Sequence, residues 1–283
     1  MSSLVVDTNL SATQALNDLN ATDASMSTAI QRLSSGLKIQ NAATGPAQYV
    51  ISQAIESQAN GYGTAIANAQ DGVSLIQTAS GALTQISTIL QTMDQLALTS
   101  ANGATQTTTS LDANQSEFKD LQTDINEIAQ TTTFGTSQLL LGKGGVTATQ
   151  FVGTLQVGAF DNINQQIKLA ISAVTIGALG IKTTTVEITT ATKAASAVSS
   201  VQAAIATVDK VASTVGAIQN ELQAIVANLT VGQQNLQAAD SQLTDVNMAQ
   251  EMTTFSTDQI LMQTGISMLA QAQQAPSLVL KLV

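Results

Sequence analysis

Apolar residues recur at alternating steps of three and four along the first forty positions: Val5, Ala12, Leu16, Leu19, Met26, Ile30, Leu33 and Leu37, with Asn9 and Asp23 in the same register. That spacing is the heptad seam of a helix made to pack against another helix. The far end of the chain repeats it through Met248, Met252, Phe255, Met262, Ile266 and Leu269, interrupted by Gln259. Pro276 is expected to close this second helix, because proline lacks the N–H that the next turn requires. Two terminal helices with matching stripes predict that the ends of the chain pair with each other.

Between them, a long helix is predicted to begin at Gly45-Pro46, where proline suits the first turn, and to carry Ala69, Gly72, Ile76, Ala79, Leu83, Ile86, Leu90, Met93 and Ala97. After the Thr-rich stretch from Asn102 to Ser110, a shorter helix places Leu111, Phe118, Leu121, Ile125 and Ile128 on one stripe. In the C-terminal half Val201, Ile205, Val208, Ala212, Val215, Leu222, Val226, Leu229 and Leu236 form another, broken by Gln219 and Gln233. A helix of about fifty residues would extend roughly 75 Å, too long for a compact globule. The region from about 134 to 192 is rich in glycine, including Gly142-Lys143-Gly144-Gly145. Phe151 to Val157 and Ile167 to Val174, on either side of Asp161-Asn162, read as a hairpin, and Thr183 to Thr192 as an edge strand. The fold class predicted is mainly α: a long antiparallel helical coiled-coil rod with a small β-hairpin insert.

Several helices are apolar on more than one face. Leu261 and Met268 lie off the seam of the C-terminal helix, and Ile218 and Ile225 off the seam of the helix before it. Burying one such side chain is worth roughly 1.5 to 3 kcal/mol, so a two-stranded pair that left them in water would associate further. The alternative is one multi-helix bundle that buries every stripe internally.

Composition removes most chemistries. The 283 residues include no Cys, no His and no Trp, which excludes disulfides, thiolate nucleophiles, His-centred triads and the usual zinc ligand sets. No catalytic, cofactor-binding or metal site is predicted. Asp120, Asp124 and Glu127 share a helix face without any histidine, the pattern of a solvated face. Nine basic against 19 acidic residues, a net charge of -10, argue against nucleic acid as a partner. No basic amphipathic face and no long apolar run argue against a membrane partner. Met1 to Asp7 lacks the basic and apolar regions of a secretory signal.

One set of segments carries a specific resemblance. Arg32-Leu33-Ser34-Ser35-Gly36-Leu37-Lys38-Ile39 is similar to the RLSSGLRI segment of bacterial flagellins, and the stretch from Asn68 to Ala79, with Gly81-Ala82-Leu83, resembles their NDGISLIQTAEGAL. Phe134-Gly135 with Leu139-Leu140 resembles TEFNGxKLL, and Leu155-Gln156-Val157-Gly158-Ala159 resembles LQIGAN. Glu251-Met252-Thr253 resembles EEMT, Gln259-Ile260-Leu261 resembles QILxQ, and Met268 to Ala272 resembles MLAQAN. These segments follow the family's order from residue 32 to 272.

The resemblance implies a structural, non-enzymatic subunit that polymerises into the extracellular filament of the bacterial flagellum, without cofactors. It implies an inner coiled-coil domain from residues 1–40 and 240–283, an outer helical domain from 41–133 and 193–239, and a small β-hairpin region over 134–192. The implied assembly seam is Leu16, Leu19, Met26, Ile30, Leu33 and Leu37 with Met252, Phe255, Met262, Ile266 and Leu269. Implied partners are further copies of the chain, filament cap and hook-filament junction proteins, and a flagellar export chaperone, with export by the type III route. A hook-filament junction protein of the same family, or a secreted coiled-coil adhesin, are the alternatives. The family's immune-receptor segment resembles LQRVRELA, where this chain has Thr92, Asp94, Gln95 and Leu96 within Leu90 to Ala97. Two arginines are thus replaced by side chains that cannot donate as a planar fork, which implies weak or absent receptor activation.

Overall fold

The computed structural model describes residues 9–142, 150–160 and 165–280. Its elements are α1 (Leu10–Ser35), α2 (Pro46–Ala101), α3 (Thr108–Thr131), β1 (Thr133–Phe134), β2 (Ser137–Gln138), β3 (Gln150–Gln156), β4 (Gln166–Ser172), α4 (Ala191–Thr244) and α5 (Met248–Leu280). The chain divides into two compact units. One comprises residues 1–57 and 235–283, the other residues 58–234.

The 58–234 unit contains a continuous apolar core. All nine residues of the predicted α2 stripe are buried, and eight of them, from Ala69 to Ala97, belong to one cluster with Phe118 and Ile125 of α3 and Ala194, Val201, Ala204, Val208, Val215 and Leu222 of α4. Strands β3 and β4 form an antiparallel hairpin in which Phe151 faces Ile171 and Leu155 faces Ile167. Along β4, Ile167, Leu169 and Ile171 are buried while the residues between them are exposed, the period-two pattern of a strand lying on a core. The hairpin lies along α2, where the Asn68 side chain donates to the Gln156 carbonyl at 3.1 Å. Gly72 makes the approach possible: a Cβ there would sit 2.5 Å from Leu155 Cδ2 and 3.3 Å from Leu222 Cδ1. The proposed turn at Asp161-Asn162 lies outside the described residues, as do Lys143 to Gly145 and Val5. A second, two-residue hairpin pairs Phe134 with Ser137 around Gly135, whose φ of 61° is left-handed.

Two expectations fail here. Thr183 to Thr192 does not form an edge strand. The N–H groups of Thr185 and Val186 both turn back to the Lys182 carbonyl, at 2.9 and 3.0 Å, and the Thr190 hydroxyl accepts from Lys193 N–H at the start of α4. The segment is a turn and a helix cap because its hydroxyls and N–H groups find local partners, while Val186 and Ile188 enter the core. Ile218 and Ile225 are also not left in water. They pack, half-buried, against the same cluster, because the hairpin and α3 give this unit more walls than a two-stranded pair has.

The other unit pairs α1 with α5. The helices run antiparallel: Asn9 meets Ala272, a Cβ on Gly265 would touch Leu19 at 3.2 Å, and Arg32 meets Glu251. Here a third expectation fails, because α5 does not close at Pro276 but continues to Leu280. Proline holds φ near the helical value, so the helix can pass through it, provided that the carbonyl one turn earlier finds another donor.

A candidate assembly surface on the terminal helices

The start of α1 is set by Asn9, whose side-chain oxygen accepts the Ala12 N–H at 3.0 Å, an N-cap. Its end is set by Gly36 at φ 75°, a left-handed residue that donates to the Arg32 carbonyl. Five residues of the Arg32 to Ile39 segment, Arg32, Gly36, Leu37, Lys38 and Ile39, have identifiable structural roles. Gly36 turns the chain, and its carbonyl accepts from Val246 N–H at 2.9 Å. Lys38 N–H donates to Thr244 at 2.6 Å. Leu37 bridges Asp245, and Ile39 is buried. Arg32 reaches across to Glu251, Nη1 to Oε1 at 3.5 Å, in an interaction half-shielded from water.

Along the helices, the residues turned toward the partner are Ala12, Ala15, Leu19, Thr22, Met26, Ala29 and Leu33 on α1, and Glu251, Phe255, Asp258, Met262, Gly265, Leu269 and Ala272 on α5. The structure therefore divides the predicted stripe. Leu19, Met26, Leu33, Phe255, Met262 and Leu269 lie in the seam inside the chain. Leu16, Ile30, Leu37, Met248, Met252 and Ile266 remain exposed. Periodicity missed the alternate seam positions because Ala15, Thr22, Ala29 and Gly265 are small. Their smallness, which lets two helices approach, was the available signal. Of the polar residues in the predicted stripes, Asp23 and Gln259 are exposed and Asn9, Gln219 and Gln233 half-buried.

What remains outside is a large apolar surface. Leu10 (76% exposed), Met268 (66%), Ile260 (61%), Ile266 and Leu261 stand free on α1 and α5. The threonines beside them make few polar demands. Thr253, Thr254, Thr257 and Thr264 donate their hydroxyls to the carbonyls four residues back, at 2.8 to 3.2 Å, and Thr13 and Thr28 do the same on α1. A neighbour could cover such a face without leaving these hydroxyls unpaired.

The receptor-like positions belong to the other unit. Thr92 is half-buried with its hydroxyl on the Thr88 carbonyl, Asp94 has one enclosed carboxylate oxygen, Gln95 is exposed and Leu96 packs on the core. Asp120, Asp124 and Glu127 are all exposed, and no group of three metal-ligating side chains occurs among the described residues. Nor, among them, is any helix long and apolar enough to cross a membrane. Two polar residues that periodicity did not mark, Gln115 and Gln122, are buried in α3. Gln115 accepts from Ile188 N–H at 2.6 Å and Gln122 donates to the Ile181 carbonyl at 2.9 Å, holding the segment before α4.

Comparison with known proteins matches residues 6–144 to the bacterial flagellin N-terminal helical region and residues 198–283 to the bacterial flagellin C-terminal helical region. A flagellin of Halalkalibacterium halodurans is 38% identical over 280 residues, covering 99% of this chain and 100% of that protein. A flagellin of Bacillus subtilis is 36% identical over 303 residues, covering 98% and 99%. Among solved structures, a protein described as flagellar hook-associated from Vibrio parahaemolyticus superposes with a TM-score of 0.57 at 13% identity, over 71% of this chain and all of that one. The last likeness is one of fold.

Proposed function

This chain belongs to the bacterial flagellin family and is a subunit of a flagellar filament, and on that premise we propose that the exposed faces of α1 and α5 are its principal assembly surface. Flagellins polymerise with copies of themselves. The observation that carries the proposal is the uneven burial: among the described residues, most of the large apolar side chains left exposed lie in the unit that holds the two terminal helices. Leu16, Ile30 and Leu37 of the α1 region and Met252 and Ile266 of α5 make contacts between copies, while Leu19, Met26, Leu33, Phe255, Met262 and Leu269 hold the two helices together. Burying such a face supplies the free energy of polymerisation.

The role is structural and not enzymatic, and the filament it forms is extracellular. Cap and hook-filament junction proteins would meet the same terminal faces at the filament ends, and an export chaperone would cover them before assembly. A junction protein would add only a short stretch, so filament length separates that role from the one proposed. Thr92 and Asp94 in place of two arginines make the chain a weak activator of the immune receptor. A cell reporter exposed to this protein is expected to respond far less than to a flagellin with LQRVRELA.

The test of the assembly surface is the double variant Ile266→Ser with Met268→Ser, both residues more than half exposed in the single chain. The free subunit should melt as the wild type does, and seeded polymerisation should need at least a roughly tenfold higher subunit concentration, the equivalent of about 1.4 kcal/mol. Filaments growing at the wild-type concentration would refute the assignment.

A further inference from the structure

Pro276 leaves a defined gap in α5. In an α-helix each N–H donates to the carbonyl four residues back, so a proline at 276 leaves the Ala272 carbonyl without its helical donor. That carbonyl is not left unpaired. The Asn9 side chain, at the opposite end of the sequence, donates to it from Nδ2 at 2.7 Å. The same side chain's oxygen caps α1 by accepting from Ala12 N–H at 3.0 Å. One amide therefore begins one helix and completes another.

We propose that Asn9 and Pro276 form a register lock for the terminal helix pair, in which proline creates an open carbonyl on α5 and the Asn9 amide is the donor positioned to fill it. Packing alone specifies this register weakly. The large seam residues repeat every seven positions, Leu19, Met26 and Leu33 on α1 and Phe255, Met262 and Leu269 on α5, so a slip of one heptad would again set apolar residues opposite one another. A slip of one heptad along α5 would carry the open carbonyl roughly 10 Å from Asn9, leaving a half-buried acceptor unpaired, which is costly. Asparagine suits the position because it joins a good capping oxygen to an N–H donor. Aspartate offers only acceptors when ionised, and serine caps comparably but is shorter. At the other end of the pair, Arg32 with Glu251 and the Leu37–Asp245 bridge fix the helices a second time. The two pins together determine which side chains of α1 and α5 face outward. The lock thus rests on the assembly reading only in that its readout is the filament.

The experiment is a double-mutant cycle on filaments of the full chain: wild type, Asn9→Ser, Pro276→Ala, and both together, compared by the midpoint temperature of depolymerisation. Asn9→Ser keeps a cap and removes the long donor. Pro276→Ala restores an N–H to fill the Ala272 carbonyl. Asn9→Ser alone should lower the midpoint by several degrees, and in the Pro276→Ala background it should lower it by only a small fraction of that. Equal losses in both backgrounds, or no loss in either, would overturn the lock. If Asn9→Ser fails to polymerise, recovery of filaments in the double variant supports it and continued failure overturns it. A wild-type chain that did not polymerise would count against the assembly reading instead.

Discussion

The two units use similar residues to different ends. In the 58–234 unit, the large side chains of α2, α3, α4 and the hairpin converge on one core, and Phe118, Ile86, Leu90 and Ile181 are wholly enclosed. In the unit formed by the two ends of the chain, the buried apolar residues among those described are Ala29 and Ile39. Leucines, isoleucines and methionines are present there too, but those of the seam, such as Leu19, Met26 and Met262, are only half-buried, and others, such as Leu16, Ile30, Met252 and Ile266, stand on the outside. The difference lies in the number of walls. A hairpin and a third helix close the first unit, whereas two helices can bury only one stripe each and the remaining faces wait for another copy. A helix pair so thinly covered has little local stability of its own, which suits a polymer whose completion should depend on assembly.

The contrast can be broken most severely from the enclosed side. Phe118→Ala should destabilise the free subunit by about 3–5 kcal/mol, the usual cost of removing a buried aromatic ring, measured by thermal or denaturant unfolding. A loss below about 1 kcal/mol would mean that the 58–234 core is not closed in the free molecule.

A smaller effect sharpens the comparison through charge. Glu187 and Lys193 form an exposed ion pair at 2.7 Å in the 58–234 unit. The hydrogen bond from Lys193, followed by its positive charge, holds the Glu187 carboxyl below its ordinary pKa. A lowered folded-state pKa means that the pair's contribution is present above the ordinary carboxylate range and is lost as pH falls through the lower, folded value. Being exposed, it contributes little. NMR titration should show Glu187 moving back up to ordinary behaviour in Lys193→Ala, and subunit stability should change only slightly on acidification through this group.

Much of this arrangement was legible in the sequence where size and hydrophobicity agree. The α2 stripe from Ala69 to Ala97 is an example: Ile76, Leu83, Ile86, Leu90 and Met93 at helical spacing mark the face, and the small residues in the same register are buried with them. Legibility fell where the two properties part. Leu16 and Ile30 outrank Ala15 and Ala29 in hydrophobicity, yet the close helix pair selects the smaller residues and turns the larger ones outward. On α4 the stripe is offset by one position in places: Ala204 and Val211 are fully buried, while Ile205 is half-buried against the core and Ala212 is exposed. Gln115 and Gln122 could not be placed from periodicity, because what makes them core residues is the backbone of Ile188 and Ile181, some sixty to seventy positions away. Pro276 was misread for a similar reason: the donor that replaces its missing N–H comes from residue 9. The motif segments were legible as a series, and the structure supplies their physical content, such as the left-handed Gly36 and the close approach over Gly72.

The central claim is that the terminal helix pair is incomplete in the single molecule and completed by neighbouring copies. Amide hydrogen exchange, followed residue by residue in the free subunit and in the filament, tests it directly. The account predicts that α1 and α5 exchange rapidly in the free subunit and slowly in the filament, while Ile86, Leu90 and Ile125 are protected in both. Protection of α1 and α5 in the free subunit equal to that of the enclosed core would contradict it.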